Sequence, residues 1–291
     1  MKKRFSVIAT VTLLILVCSS IAFANVSYLG PAGTYTEEAT AIFFGDKETT
    51  VPVPTVPEAL KLVKTGQSQY AVVPVENTIG GPVYNYLDAV INDAELVVVG
   101  EINLPIRQTL LALPGADIKG IKTIMSHPQG LAQSKDWIKA NLPEAKLIEV
   151  PSTAEAAKRV AEMGDPSAAA IAASRTAAVY NLAVLASDLQ YTNTNVTRFW
   201  VVTLKKNQTL GSQKATVVLQ GPAQELPKVL NNLSRKGFTV ISLHDRPAKT
   251  KLGEYTYVLE LAGSDINVLE KALKNDSNVL QYRITGVFNA K

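Results

Sequence analysis

Residues 26–204 alternate short apolar runs with stretches of helical periodicity, and this alternation constrains the fold more than any other feature. We predict strands where a run is short and apolar: 26–29, 70–75, 96–99, 123–125, 147–150, 168–172 and 199–204. We predict helices for the intervening stretches that repeat apolar residues every three or four positions: 36–44, 56–64, 131–140 and 153–163. Such alternation is typical of an α/β domain with largely buried sheets.

A polar segment, residues 205–214 (KKNQTLGSQK), contains a glycine and is typical of a linker. Beyond it we predict six elements: strand 215–220, helix 224–235, strand 238–243, strand 255–261, helix 267–274 and strand 279–287. This βαββαβ order is that of a ferredoxin-like domain.

The first 24 residues have the parts of a secretory signal peptide. Residues 2–4 (KKR) are basic, 5–17 are almost wholly apolar, and 22–24 (AFA) supply a small-x-small cleavage pattern. The apolar run is short beside the roughly 20 residues that span a bilayer, so an uncleaved anchor is the weaker alternative. We predict cleavage after Ala24, export to the periplasm or the medium, and no stable membrane association of the mature chain.

Cleavage would remove Cys18, the chain's one cysteine, which excludes disulfides, thiolate metal sites and a cysteine nucleophile from the mature protein. It would also remove three of the 29 basic residues, leaving 26 against 25 acidic ones. No basic stripe or basic-aromatic cluster remains, so the sequence does not support a nucleic-acid partner.

Three polar turns follow predicted strands, at the sheet edge where α/β proteins place ligands. Residues 30–36 (GPAGTYT) lead into a helix whose first N–H groups favour an anion, with Thr36 as the predicted N-cap. Residues 76–81 (ENTIGG) and 126–130 (SHPQG) are the other two turns. Each turn alone is also typical of a structural loop, but together they indicate one cleft for a small anion.

Two further observations bear on the chemistry. His127 is one of two histidines, and a lone histidine is more often a hydrogen-bonded structural group than a base. Residues 195–200 (NVTRFW) offer a hydroxyl beside a guanidinium, which can bind a carboxylate with paired hydrogen bonds. The chain has no GxSxG motif, and its His, Asp and Glu residues lack metal-ligand spacing.

Taken together, these segments resemble the prephenate dehydratase family over nearly the whole mature chain. The resemblance rests on five motifs in order: 30–39 (GPAGTYTEEA), 74–78 (PVENT, with Thr78 for the usual Ser), a central LPI…LL strand at 104–106 and 110–111, 126–134 (SHPQGLAQS, with Gly130 for Ala and Ser134 for Cys) and 197–199 (TRF).

The resemblance implies a catalytic region at 25–206 with two lobes, as in type II periplasmic binding proteins, and an ACT-like domain at 214–290. The implied enzyme is a carbon–oxygen lyase that needs no cofactor or metal. It removes water and CO₂ from prephenate, between the lobes, to give phenylpyruvate.

The family pattern also implies roles for residues of this chain. Thr197 is the expected hydrogen-bond donor to the departing hydroxyl, in a catalytic group completed by Glu76, Asn77 and Thr78. Seven further residues are expected to bind or orient the substrate: Arg198, Phe199, Thr34, Ser126, His127, Gln129 and Gln133. Arg198, Asn77 and the helix N-terminus near Thr34 are the candidates for holding its two carboxylates.

The C-terminal region departs from the family's regulatory pattern. Residues 224–226 (QEL) stand where the family has Gly-Ala-Leu, and 244–247 (HDRP) stand where it has Glu-Ser-Arg-Pro. The degenerate allosteric positions are Leu226, His244, Asp245, Arg246 and Pro247. We therefore predict weak or absent inhibition by phenylalanine, and a domain that serves mainly to form a homodimer or tetramer.

Two alternatives stay open. A periplasmic solute-binding protein for a small carboxylate would also be exported and two-lobed, but it has no need of a TRF signature and rarely carries an ACT domain. An arogenate dehydratase would share the same motifs, because its substrate differs from prephenate only by an amino group in place of a keto group.

Overall fold

The computed structural model describes residues 24–263, 265–275 and 279–289. The predicted signal peptide therefore lies outside the described residues, except for Ala24 at the start of the first strand. Within the described ranges, no helix has both the length and the apolar character to cross a membrane.

The first part of the chain builds most of a large lobe. Its elements, in order, are β1 (Ala24–Leu29), α1 (Tyr35–Phe44), β2 (Thr50–Val53), α2 (Val56–Lys64), β3 (Ser68–Asn77), β4 (Gly81–Pro82), α3 (Tyr84–Ile91) and β5 (Leu96–Pro105). Strand β1 pairs in parallel with both β2 and β3. Parallel pairing buries both faces of a strand, which explains the nearly continuous apolar runs.

The next part builds a small lobe around its own five-stranded sheet. Its elements are β6 (Thr109–Ala112), β7 (Thr123–Ser126), α4 (Pro128–Gln133), α5 (Lys135–Asn141), β8 (Lys146–Glu149), α6 (Thr153–Met163), β9 (Ala168–Ala172), α7 (Thr176–Tyr180) and β10 (Ala183–Ala186). The sheet order is β10-β6-β9-β7-β8. All five residues of β9 are buried, so this strand forms the centre of the lobe.

The chain then returns to the large lobe as β11 (Val196–Leu204), which lies between β5 and β3 and is antiparallel to both. The outgoing and returning passages between the lobes run side by side. Val196 pairs with Pro105, and the N–H of Ile106 donates to the carbonyl of Asn195 at 2.8 Å. The small lobe is therefore attached to the large one by two adjacent segments.

The C-terminal part contains β12 (Lys214–Pro222), α8 (Leu226–Arg235), β13 (Thr239–Pro247), β14 (Glu254–Ala262), α9 (Ile266–Asn275) and β15 (Gln281–Phe288). Their spatial order, β13-β14-β12-β15, is that of a ferredoxin-like sheet. This sheet joins the large lobe where Gly286 of β15 pairs in parallel with Val98 of β5. A side chain at Gly286 would collide with the Val98 carbonyl, so glycine permits the junction.

The predicted fold class is thus confirmed: a mixed α/β protein with two lobes, followed by a βαββαβ unit. Two local predictions were wrong. The helix predicted at 131–140 is divided into α4 and α5, which meet at Ser134. The expected single LPI…LL strand is two strands in two sheets, since Leu104 lies in β5, which ends at Pro105, whereas Leu110 lies in β6.

Candidate active site

A cavity of about 230 Å³ lies between the two lobes. The large sheet, the turns and helix starts of the small lobe, and both connecting segments contribute to its walls. The lining residues are Thr34, Tyr35, Thr36, Pro74, Asn77, Ile106, Gln108, His127, Gln129, Gly130, Gln133, Pro151, Ser152, Thr153, Asn195, Thr197 and Phe199. Seven of the eleven predicted site residues are among them: Thr34, Asn77, His127, Gln129, Gln133, Thr197 and Phe199.

Thr197 is fixed at the cavity wall by its cross-strand neighbour Asn77. The Asn77 side-chain nitrogen donates to the Thr197 hydroxyl oxygen at 2.9 Å and to Asn195 Oδ1 at 2.8 Å. The Asn77 oxygen accepts hydrogen bonds from the N–H groups of Ile79 and Gly80, at 3.0 and 2.8 Å. These four contacts hold the amide in one orientation, with its nitrogen facing Thr197.

A chain of amides extends this network across the cavity. Gln133 Oε1 accepts from Asn195 Nδ2 at 3.0 Å and from Gln108 Nε2 at 2.9 Å. Gln108 Oε1 in turn accepts from the Tyr35 hydroxyl at 3.1 Å. Burial raises the pKa of Tyr35, so this hydroxyl stays protonated and remains a donor. The network thereby links α1, α4 and both connecting segments around one small space.

Three helices begin at the cavity. Thr34 is the N-cap of α1 and accepts from the N–H of Glu37, which corrects the prediction of Thr36 as the cap. Ser152 caps α6 by accepting from the N–H of Glu155 at 3.0 Å. His127 caps α4 through Nδ1, which accepts from the N–H of Gln129 at 3.2 Å. In α1 and α6 the first two N–H groups have no intrahelical partner and are available to an anion. In α4, by contrast, Pro128 has no N–H and the N–H of Gln129 is already bound by His127.

None of the lining residues is Lys, Arg, Asp or Glu. Negative charge in the cavity would therefore be balanced by helix N-termini and by amide and hydroxyl donors rather than by a cationic side chain.

The 31–33 turn is tied to the small lobe beside the cavity. The Thr176 hydroxyl donates to the carbonyl of Gly33 at 2.6 Å, and the Tyr180 hydroxyl donates to that of Ala32 at 2.8 Å. Gly33 has a φ of +86°, and an added Cβ would lie 2.9 Å from the Thr176 methyl group. Glycine is required here for both its backbone conformation and its close approach.

Four predicted site residues lie outside the cavity. Two of them support its walls. Ser126 is buried and donates to the carbonyl of Ile171 at 2.7 Å, which holds β7 to its sheet. Thr78 donates to the carbonyl of Thr194 at 2.6 Å and accepts from the N–H of Val196 at 2.9 Å. Both hydroxyls are thus occupied by backbone groups, and neither faces the cavity.

Arg198 and Glu76 lie on the opposite face of the sheet, so the prediction that Arg198 holds a substrate carboxylate in this cavity was wrong. Successive residues of a strand point to opposite faces, so a strand that turns Thr197 inward turns Arg198 outward. The Arg198 guanidinium instead lies 2.9 Å from Glu76 and 2.6 Å from Glu260 of β14. Burial raises the pKa of Glu260, although the charge of Arg198 opposes that effect.

Three of the predicted allosteric residues, Arg246, His244 and Leu226, face the large lobe or the C-terminal core, whereas Asp245 and Pro247 are exposed. Arg246 makes two hydrogen bonds to Asp88 of α3, at 3.0 and 2.7 Å, and lies 4.4 Å above the ring of Tyr84. His244 Nε2 is 3.7 Å from Glu76, and its pKa is lowered chiefly by burial. Leu226 packs against the core between the helices and the sheet. Asp245 and Pro247 flank Arg246 in β13.

Sequence reasoning missed Gln108, Asn195 and Ser152 as cavity residues. Gln108 and Asn195 lie in the connecting segments, where no strand or helix pattern marks them. Ser152 could have been found, because a serine three residues before a glutamate and ahead of an apolar helix is a capping pattern.

Comparison with known proteins gives a consistent result. The sequence profile of the family "Prephenate dehydratase" matches residues 26–207. A bifunctional chorismate mutase/prephenate dehydratase of Neisseria gonorrhoeae is 36% identical over 241 residues, which cover 82% of this chain and 66% of that protein. A prephenate dehydratase of Corynebacterium glutamicum is 33% identical over 257 residues, which cover 84% of this chain and 81% of that protein.

Among solved structures, the prephenate dehydratase of Arthrobacter aurescens in complex with L-Phe matches with a TM-score of 0.81. The two are 32% identical in sequence, and the match covers 91% of this chain and 89% of the other. Against the bifunctional Neisseria protein, by contrast, this chain spans just under two thirds of the relative's length.

Proposed function

This chain belongs to the prephenate dehydratase family, and from that premise we propose that it converts prephenate to phenylpyruvate outside the cytoplasm. In this reaction the bond between the ring and its carboxylate breaks, and the electron pair becomes part of the new aromatic ring. The C4 hydroxyl leaves as the ring forms and takes up one proton, so the products are phenylpyruvate, CO₂ and water. Aromaticity drives the step, and the protein has to assist the departing oxygen.

The proposal depends on the hydrogen bond from Asn77 to Thr197. Because the Thr197 oxygen already accepts from the amide, the hydroxyl proton is left to donate elsewhere, and this side chain lines the cavity. A threonine hydroxyl is too weak an acid to ionise usefully. We therefore assign it as a hydrogen-bond donor that stabilises the charge developing on the departing oxygen.

The two carboxylates of the substrate fit a cavity bordered by helix N-termini. The first N–H groups of α1 and α6, from opposite lobes, are the proposed carboxylate contacts, with Gln129 as an additional amide donor. Exclusion of water from the cleft favours loss of CO₂, because the ring carboxylate loses its charge as it leaves.

The lining residues favour prephenate over arogenate. Arogenate carries an ammonium group where prephenate has a ketone, and a buried ammonium needs an anionic or strongly accepting partner. None of the residues that line the described cavity is acidic. We expect turnover of prephenate to exceed that of arogenate when both are offered to the purified protein.

The decisive experiment replaces the proposed donor. Thr197→Val should lower kcat by about 100-fold with little change in KM, whereas the matched control Thr197→Ser keeps the hydroxyl and most of the activity. Equal activity of the valine variant would refute the role of Thr197. A wild-type protein that binds prephenate without turning it over would support the solute-binding alternative.

We also propose that residues 1–24 direct export and are removed. The basic, apolar and small-residue segments in that order support this proposal. Mass spectrometry of the protein from cell fractions tests it: a mature chain that begins at Asn25 in the periplasm or the medium is expected, and an intact chain retained in the cytoplasm would contradict it.

The C-terminal unit is proposed to be an ACT-like domain, with the bounds 214–290, that pairs two copies of the chain. Val240 and Ile241 lie on β13, at the end of the described sheet, and each is 37% exposed. An apolar edge strand is a ready surface for pairing. Light scattering should give the mass of a dimer or tetramer, and Ile241→Lys should shift it toward the monomer.

A further inference from the structure

The strands that carry Asn77 and Thr197 into the cavity carry an ion cluster on their opposite face. Thr197 pairs with Asn77 across the two strands, and the next residues, Arg198 and Glu76, pair with each other. The Arg198 guanidinium and the Glu76 carboxylate are 2.9 Å apart. Because each member of one pair is covalently next to a member of the other, a shift of the outer pair would displace the inner one.

A buried carboxylate of the C-terminal domain binds this outer face. Glu260 of β14 lies 2.6 Å from the Arg198 guanidinium, and its side chain is only 4% exposed. Its second oxygen accepts a hydrogen bond from the Trp200 indole nitrogen. Arg198 and Trp200 are two residues apart on β11 and therefore share a face. Glu260 thus binds two successive outward side chains of the strand that presents Thr197.

At this point the backbone holds β11 more regularly on one side than on the other. Its ladder with β5 is continuous from Val196 to Val201, whereas its ladder with β3 is not. The pairing of β11 with β3 shifts register between Arg198 and Phe199, since Phe199 pairs with Pro74 rather than with Val75. A bulge interrupts the backbone ladder and re-aims the side chains beside it. On the β3 side, where the ladder is interrupted, side-chain contacts have a larger part in fixing Thr197 relative to Asn77.

We propose that Glu260 is a positioning residue for Thr197, so that the C-terminal domain helps to shape the active site through Arg198 and Trp200. This inference rests on the proposed role of Thr197. This positioning role differs from a general stabilisation of the protein by the C-terminal domain, because it assigns the effect to the Glu260 carboxylate and to β11 alone. Other charged groups surround the same interface: Glu101 of β5, Lys214 of β12 and His244 of β13.

The test is Glu260→Gln in the full chain, compared with Asp88→Asn. Both changes neutralise a carboxylate that binds an arginine between the C-terminal domain and the large lobe. Glutamine preserves the shape of Glu260 but weakens its hold on Arg198. We expect kcat for prephenate to fall about tenfold in Glu260→Gln with KM changed less than about twofold, and to stay at the wild-type value in Asp88→Asn.

Hydrogen–deuterium exchange provides a second measurement that does not need turnover. Peptides covering 196–200 should exchange faster in Glu260→Gln than in wild type or in Asp88→Asn. If wild type turns over prephenate and Glu260→Gln matches it in kcat and in exchange, the positioning role is refuted. If wild type shows no turnover, the proposed function fails, and the exchange comparison still decides whether Glu260 restrains the strand.

Discussion

The side-chain amide of Asn77 donates to the hydroxyl oxygen of Thr197 at 2.9 Å, across two neighbouring strands. The amide cannot turn over without losing two backbone hydrogen bonds, because its oxygen accepts from Ile79 and Gly80. The direction of the Thr197 proton is therefore set by a neighbour rather than by Thr197 itself.

Asn77→Asp tests this dependence. The carboxylate can still accept from the two backbone N–H groups, but it would also accept the Thr197 proton and withdraw it from the substrate. We expect kcat to fall about 100-fold. In a double-mutant cycle, Asn77→Asp with Thr197→Val should have a kcat no lower than the worse single variant. Additive losses would show that Asn77 acts independently of the hydroxyl.

Gly33→Ala should loosen the contact between the lobes. The new Cβ would lie 2.9 Å from the Thr176 methyl group, at a φ of +86°. The matched control is Gly66→Ala, which has a φ of +73° and no atom within 4 Å of the added Cβ. Both variants should lose about 1 kcal/mol of stability to backbone strain. Only Gly33→Ala should also raise KM for prephenate, by about tenfold, and equal KM values would contradict this.

His244 should make the protein less stable in mild acid. Its side chain is 11% exposed and faces Glu76 and Arg198, with Asp245 beside it in β13. Burial lowers its pKa in the folded state, so the unfolded chain takes up the proton first as the pH falls. The stability contributed by the neutral ring is complete above the unfolded pKa of about 6.5 and is lost as the pH falls through the folded pKa.

His244→Gln should flatten that dependence. The slope of the free energy of unfolding against pH can differ between the two proteins by at most about 1.4 kcal/mol per pH unit, which is the value for one proton. Denaturant unfolding of both proteins between about pH 7.5 and pH 5.5 measures it. Identical slopes would mean that His244 does not titrate differently in the two states.

Phenylalanine should have little effect on the enzyme. In the predicted allosteric segment, Arg246 is already bound by Asp88 through two hydrogen bonds and lies over Tyr84, and His244 replaces the acidic residue of the family pattern. We expect kcat/KM to change less than about twofold in millimolar L-phenylalanine, with D-phenylalanine as the control. Strong inhibition by the L-isomer alone would overturn this prediction.

The sequence was informative where one physical pattern dominates. Buried strands such as 168–172 follow directly from apolar runs. The family motifs assign Thr34, His127 and Thr197 to one site, and all three line the cavity. Membership of an enzyme family, prephenate dehydratase, is confirmed by the comparisons.

A linear motif does not tell which of its residues face the same way. The TRF signature places Thr197 and Phe199 in the cavity and Arg198 behind it, because a strand alternates. Predicting that Arg198 pairs with Glu260 would have required the tertiary position of Glu260. That residue lies 62 positions later in the chain, on β14 of the C-terminal part. Gln108 escaped notice for a different reason, since a connecting segment has no periodicity to interpret.

The side-by-side passage of the chain at Ile106 and Asn195 has a practical consequence. Residues 106–195 leave and re-enter at neighbouring points, so they form an insertion that could be excised and the gap closed by a tight turn. The same junction would accept the corresponding segment of a homologue as a cassette. Exchanging it would replace the wall containing His127, Gln129 and Ser152 while leaving Thr197 and Asn77 on their native strands.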